Sequence, residues 1–124
     1  MRFSLALAMT QPGRILTLSK AAEAAGWHGV TMPESVFYPE EVSAKYPYSV
    51  DGQRFWPSDA DWVDPWVAIP AIAASTERLM LGTNVTKLAL RHPLLMAKTV
   101  GSAAAMFPGR IELGIGGRSV GWPG

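Results

Sequence analysis

The chain has 124 residues and a formal net charge of +1, from 11 basic and 10 acidic residues. That length fits one domain, and the interspersed charge gives no electrostatic reason to expect nucleic acid or an anionic membrane as a partner. There is no cysteine, which excludes disulfide frameworks, zinc–thiolate sites and cysteine nucleophiles and is compatible with a cytoplasmic protein.

No apolar run approaches the roughly 18 residues that span a bilayer. The N-terminus lacks the strongly basic start and small-residue cleavage site of a signal peptide. Arg2 to Met9 reads instead as a first buried strand, ended by Thr-Gln-Pro-Gly. From Arg14 to Ala25 the apolar residues Ile15, Leu18, Ala22 and Ala25 recur at helical spacing, and Gly26 follows as the C-terminal cap. Gly29 to Pro33 is a second short strand. Strand, helix and strand within about 30 residues form a βαβ unit.

A long connection follows, Glu34 to Val63. It holds Pro39, Pro47, Gly52 and Pro57 together with Phe37, Tyr38, Tyr46, Tyr48, Phe55, Trp56 and Trp62. Its aromatic content argues against disorder, and loops of this length in compact domains are commonly functional. Two readings stand at even weight: a loop packed over one end of the domain, or aromatics that only fasten the connection to the scaffold. Asp64-Pro65 opens a second helix, with aspartate as N-cap and proline in the first turn. That helix runs to about Thr76, and Pro70 inside it removes one hydrogen bond and predicts a kink.

The stretch Leu79 to Leu95, LMLGTNVTKLALRHPLL, organises the rest. A short apolar strand meets Gly82, Thr83 and Asn84, then a second apolar run, then Arg-His-Pro at the start of a helix. Glycine inside a strand pattern marks a bulge or a close approach. In an α/β protein the carboxyl ends of the strands are where ligands bind. Pro93 to Met106 is a third helix, apolar on most sides, and Ile111 to Ile115 a fourth strand. The order β-α-β-α-β-α-β implies a parallel sheet with right-handed crossovers. An open doubly wound sheet and a barrel both fit, although four strands cannot close a (β/α)8 barrel of about 250 residues.

Few side chains stand out for chemistry. His92 is either a proton donor or, as we favour, a residue that orients the start of the third helix. His28 lies in a helix–strand turn and reads as solvated; two histidines without ligand spacing predict no metal site. Glu34 is an acid or base, or else holds a neighbouring loop by hydrogen bonds. Arg91 reaches an anionic group or makes a surface ion pair. Gly114, Gly116 and Gly117 follow a strand, but a dinucleotide turn would need glycine where Ser119 stands and a helix after it. There is no G-x-S-x-G nucleophile elbow.

The segments AAEAAGWHGVTMPESVF, YPYSVDG, DWVDPWVAIPAIAASTERLMLGTNV and LALRHPLLMAKTVGSAAAMFPGRIELGIG together resemble the N-terminal half of the luciferase-like monooxygenases. The resemblance runs from about Phe3 to Gly116, and TERLMLGTNV…LRHPLLMAK is its most specific part. It implies a (β/α)8 barrel, here its N-terminal half. It also implies a reduced flavin or deazaflavin cofactor, and YPYSVDG is similar to the branch that uses coenzyme F420 rather than FMN. Thr83, Asn84 and Val85 would form the bulge that backs the ring, often with a non-proline cis peptide. Met9, Thr10, Glu34 and Ser35 would line the same mouth, with Gly114 and Gly116 after the fourth strand also assigned to the cofactor. Glu34 and His92 are the catalytic candidates. A reduced F420 ring would pass hydride to a small organic substrate, whereas FMN would activate molecular oxygen.

Two departures from the family pattern matter. Ser35 stands where members often carry a histidine, and Gly117-Arg118-Ser119 replaces the usual Gly-Trp or Gly-Glu continuation. The family's phosphate-binding loops come from the C-terminal half. The expectation is therefore a truncated half-barrel, either inactive alone or completed by a homo-oligomer or a complementing half.

Overall fold

The computed structural model describes residues 1–38, 45–46 and 49–116. Pro39, Pro47 and Tyr48 of the long connection, and Gly117, Arg118 and Ser119 near the C-terminus, lie outside the described residues. Strand β1 spans Ser4–Ala6, β2 Gly29–Met32, β3 Met80–Thr83, β4 Thr86–Lys87, β5 Ile111–Glu112 and β6 Ile115–Gly116. The helices are α1 (Ile15–Ala24), α2 (Pro65–Ser75) and α3 (Pro93–Met106), with short 3-10 turns at Pro12–Arg14 and Leu88–Leu90.

Strands β1, β2, β3 and β5 form one parallel sheet in that spatial order. The order never reverses. Right-handed crossovers in a sheet that always advances the same way put every helix on one face. A doubly wound sheet needs a reversal to cover its second face, so the barrel alternative is the one realised. The register makes the two faces explicit. Leu5, Val30, Leu81 and Ile111 align across the four strands and pack with α1 and α2 residues in one apolar core. The alternate row is Ala6, Thr31, Gly82 and Glu112; Ala6 and Glu112 are exposed. No described helix covers that second face.

Local chemistry explains the helices. Helix α1 buries Ile15, Ser19 and Ala22 on one stripe. The hydroxyl of Ser19 donates to the Ile15 carbonyl at 2.8 Å, so a polar residue sits there satisfied. Ala25, expected on the apolar stripe, is instead the C-cap, and Gly26 continues at φ +79°, where a side chain would be strained. Helix α2 is capped as expected, with Asp64 Oδ1 accepting from the Trp66 N–H at 2.7 Å. It lies between α1 and α3, so most of its surface is buried: Trp66, Ala68, Ile69, Ile72 and Ala73 all face neighbours. The helix passes through Pro70, which has no N–H to offer the Trp66 carbonyl. Helix α3 buries only Met96 and Ala103, and Leu94, Leu95 and Met106 are exposed.

Two strand boundaries differ from expectation. The first strand is only Ser4–Ala6; the Leu7 N–H still bonds the Thr31 carbonyl, and the chain then turns, with Met9 at φ 55°. The expected strand Ile111 to Ile115 is divided, with Leu113 and Gly114 between β5 and β6. The apolar run after Asn84 supplies β4, which pairs with β6 as a separate two-stranded parallel ladder. Both interruptions sit at the same level, where β3 and β5 bulge together.

Candidate active site

The bulge begins where β3 ends. The Asn84 N–H still reaches back to the Met32 carbonyl at 2.8 Å, and the Asn84–Val85 peptide is cis. The Thr86 N–H then bonds the Gly114 carbonyl at 2.8 Å. Thr83 stitches the two interruptions together. Its hydroxyl donates to the Gly114 carbonyl at 2.9 Å and accepts from the Gly114 N–H at 3.0 Å. A Cβ on Gly114 would lie 2.0 Å from the Thr83 carbonyl oxygen, and one on Gly116 2.3 Å from Val85 Cγ2. Both glycines are therefore required by close approach of the neighbouring bulge. Asn84 is exposed and Val85 half-buried, so the bulge presents a surface at the carboxyl edge of the sheet.

A charged network stands beside it. Glu34 follows β2 and is 6% exposed. One of its oxygens, Oε2, accepts from the Lys87 N–H; the other, Oε1, accepts from Arg91 Nε and is ion-paired with Arg91 Nη2. The same Arg91 Nη2 bonds Asp64 Oδ2 at 2.7 Å. Burial works against the Arg91 charge, but the hydrogen bonds to Asp64 and Glu34 and their charges outweigh it and raise its pKa above the ordinary arginine value. Both oxygens of Glu34 are thus engaged, one by the Lys87 N–H and one by Arg91. Arg91 makes ion pairs with two carboxylates.

The other candidates distribute unevenly. Thr83, Asn84, Val85, Gly114 and Gly116 form one contiguous unit. Met9 is exposed, and the half-buried Thr10 donates its N–H to the Leu7 carbonyl at 3.4 Å. Both follow β1 at the same edge of the sheet. The Ser35 hydroxyl donates to the Phe37 carbonyl at 3.3 Å. His92 is exposed at the N-cap of α3; its carbonyl accepts from the Met96 N–H at 2.9 Å, and its side chain makes no capping bond. Among the described residues no cluster of three or more metal-ligating side chains occurs, and no helix is long and apolar enough to cross a membrane.

Sequence reasoning gave no distinct role to Thr86, whose hydroxyl is buried without a partner among the described residues. It also passed over two structural anchors away from the bulge. Glu23 accepts the N–H groups of Glu77, Arg78 and Leu79 at 2.6 to 3.1 Å. Arg110 donates to the carbonyls of Ala73, Thr76 and Leu79 and to the Thr76 hydroxyl. A charged residue beside a helix–strand junction was the available signal in both cases.

Comparison with known proteins adds the family. A family model described as luciferase-like monooxygenase matches residues 2–123. The chain belongs to the luciferase-like monooxygenase family. An uncharacterized protein of Mycobacterium tuberculosis is 44% identical over 116 residues, which cover 94% of this chain and 40% of that protein. An F420-dependent glucose-6-phosphate dehydrogenase of Nakamurella multipartita is 32% identical over 106 residues, covering 85% of this chain and 26% of that one. Among solved structures, the oxygenating constituent of 3,6-diketocamphane monooxygenase from Pseudomonas putida, in complex with FMN, superposes with a TM-score of 0.69 at 18% identity. That match covers 96% of this chain and 30% of the other. The chain thus spans less than half the length of the relatives it matches, and its fold is that of the N-terminal half of their barrel.

Proposed function

We propose that this chain carries the ring-binding half of an F420-dependent oxidoreductase site, acting on a small organic substrate. The observation that carries the reading is the Thr83–Val85 bulge at the carboxyl end of the third barrel strand, held by the paired hydrogen bonds of Thr83 and Gly114 and presenting Asn84 and Val85 outward. A flat ring suits such a surface, because an apolar side chain and an exposed amide offer both a stacking face and hydrogen-bonding groups. Met9, Thr10 and Ser35, at the ends of neighbouring strands, would border the ring. When bound, the reduced deazaflavin supplies hydride; the protein supplies position and polarity.

In this reading Glu34 and Arg91 hold the floor of the site, and neither moves a proton. Both Glu34 oxygens already accept hydrogen bonds, from the Lys87 N–H and from Arg91, and this supports a holding role. His92 is the exposed titratable group nearest in sequence to that network, and it takes the proton-transfer role if one is needed.

The F420 assignment is supported by sequence relatives above 30% identity that are named for that coenzyme. FMN with molecular oxygen is the second reading, supported by the FMN-bound structural neighbour, whose low identity speaks to fold alone. A reading of another class is a half-barrel that is inactive alone and needs a complementing half; the partial coverage of the relatives is compatible with it.

Titrating the purified chain separately with oxidised F420 and FMN, and following cofactor fluorescence, tests these readings. Saturable binding of F420 alone is the expected result. FMN binding alone selects the second reading. Binding of neither, by a chain that melts cooperatively, overturns the enzyme reading for this chain by itself.

A further inference from the structure

Arg91 has a second consequence, which concerns the long aromatic connection between β2 and α2. Glu34 stands at the first foot of that connection, two residues after Met32 ends β2. Asp64 stands at its last foot, as the N-cap of α2. Arg91 belongs to neither element. It lies between the Leu88–Leu90 turn and α3, downstream of the bulge. Yet its guanidinium bonds both feet at once, at Glu34 Oε1 and Asp64 Oδ2. Glu34 in turn bonds the Lys87 N–H at the end of β4. One cation therefore ties both ends of the connection to the strand that leaves the bulge.

The arrangement uses two nitrogens of the guanidinium, Nε and Nη2. Two carboxylates converge on one guanidinium, and each also accepts a backbone N–H, Glu34 from Lys87 and Asp64 from Trp66 at the first turn of α2. The Glu34 side chain is 1% exposed and that of Arg91 24%. Nη2 alone touches both carboxylates and Nε adds a second bond to Glu34, a two-nitrogen grip on Glu34 that the single nitrogen of an ammonium does not reproduce. Between the feet, Tyr46, Phe55, Trp56 and Trp62 make a chain of edge-on ring contacts with centroids 5.1 to 5.7 Å apart. Those rings pack on each other, and Val63, next to the second foot, packs against the core.

We infer that Arg91 is a positioning residue that fixes the described part of the aromatic connection, residues 33–38, 45–46 and 49–64, relative to the Thr83–Val85 bulge, through Glu34 and Asp64. The inference rests on the proposed function only in that the bulge is where the ligand sits; the clamp itself is independent of which cofactor binds.

Amide hydrogen exchange on the ligand-free chain tests it, comparing wild type with Arg91→Met, Arg91→Lys, Asp64→Asn and the double variant Glu34→Gln/Arg91→Met. The reporters are the Tyr46, Gln53 and Ala60 amides, which bond within the connection. Val30, Leu81 and Ile69 report the core. Asp64→Asn keeps an oxygen that caps the Trp66 N–H and deletes the charge that meets Arg91, so it folds even if Arg91→Met does not. The expected result is at least about tenfold faster exchange at the connection reporters in Asp64→Asn and in the double variant, with core reporters within about twofold of wild type. Arg91→Lys falls between. In the double variant the buried Glu34 charge is gone, so any loss of global stability is relieved while the connection stays loose. Wild-type exchange at the three reporters in Asp64→Asn and in the double variant overturns the inference and leaves Arg91 a stabilising ion pair only. Because no cofactor is present, failure of the cofactor assignment does not change either outcome.

Discussion

Single residues set the shape of the bulge. Gly114 lies so close to the Thr83 carbonyl that a methyl group has no room, so Gly114→Ala is expected to cost about 1–3 kcal/mol by displacing one strand from the other. Thr83→Val keeps the shape and removes a hydroxyl that both donates to and accepts from Gly114. Chemical denaturation should show a loss of about 1–3 kcal/mol there as well, with the Gly114 groups left to find other partners. Glu23 makes a prediction in pH. Burial raises its pKa, but the N–H groups of Arg78, Glu77 and Leu79, helped by the Arg78 charge, outweigh that and hold the carboxyl below its ordinary value. A carboxyl lowered in the folded state stabilises fully above its unfolded pKa, and that stabilisation is lost as pH falls through the folded value. Urea melts of wild type and Glu23→Gln should therefore differ most at neutral pH and converge in acid. A constant difference across the acid range would rule the carboxylate out as the cause.

At the scale of elements, helix α2 shows how much of the fold local signals carry. Asp64-Pro65 announces its start in the sequence, and the structure uses both residues as expected. Asp64→Ala removes the cap and the contact to Arg91 together, so its cost should exceed the ordinary N-cap range of about 0.5–2 kcal/mol; Asp64→Asn should stay within it. Ile69 and Ile72 of the same helix are fully buried, and Ile69→Ala should cost about 2–5 kcal/mol in the same denaturation assay. What α2 does not announce is its role as anchor. Arg110, far along the chain, closes its C-terminal carbonyls. The strand pattern was legible in type but not in extent. IELGI reads as one strand because its apolar residues alternate with others; it is divided because Gly114 must yield to Thr83, a contact between residues 31 apart.

The described residues hold a four-stranded sector of a barrel with helices on one face. The outer edges of β1 and β5 have no partner strand among the described residues, and Leu94, Leu95 and Met106 of α3 are exposed. Unpaired parallel edges are templates for association. Light scattering of the purified chain should therefore show a dimer or larger species; a monodisperse monomer would count against self-association. Mixing with a chain that carries the C-terminal half of a relative should reduce that association if the open face is what drives it.

Composition and order determined the class. Four apolar runs alternating with helical periods required a parallel α/β sheet, and TERLMLGTNV with LRHPLLMAK carried enough of the family pattern to mark its N-terminal half. These are properties of neighbours in the chain, where propensity and periodicity act. The tertiary structure decided the rest. It chose barrel over doubly wound sheet by the direction in which each crossover advanced. It made Gly114 and Gly116 packing glycines, engaged both oxygens of Glu34, and set Arg91 between the two feet of the aromatic connection. Those outcomes depend on groups about 27 to 57 residues apart. Burial and charge pairing bring such groups together only after the chain has folded, so no local pattern encodes them.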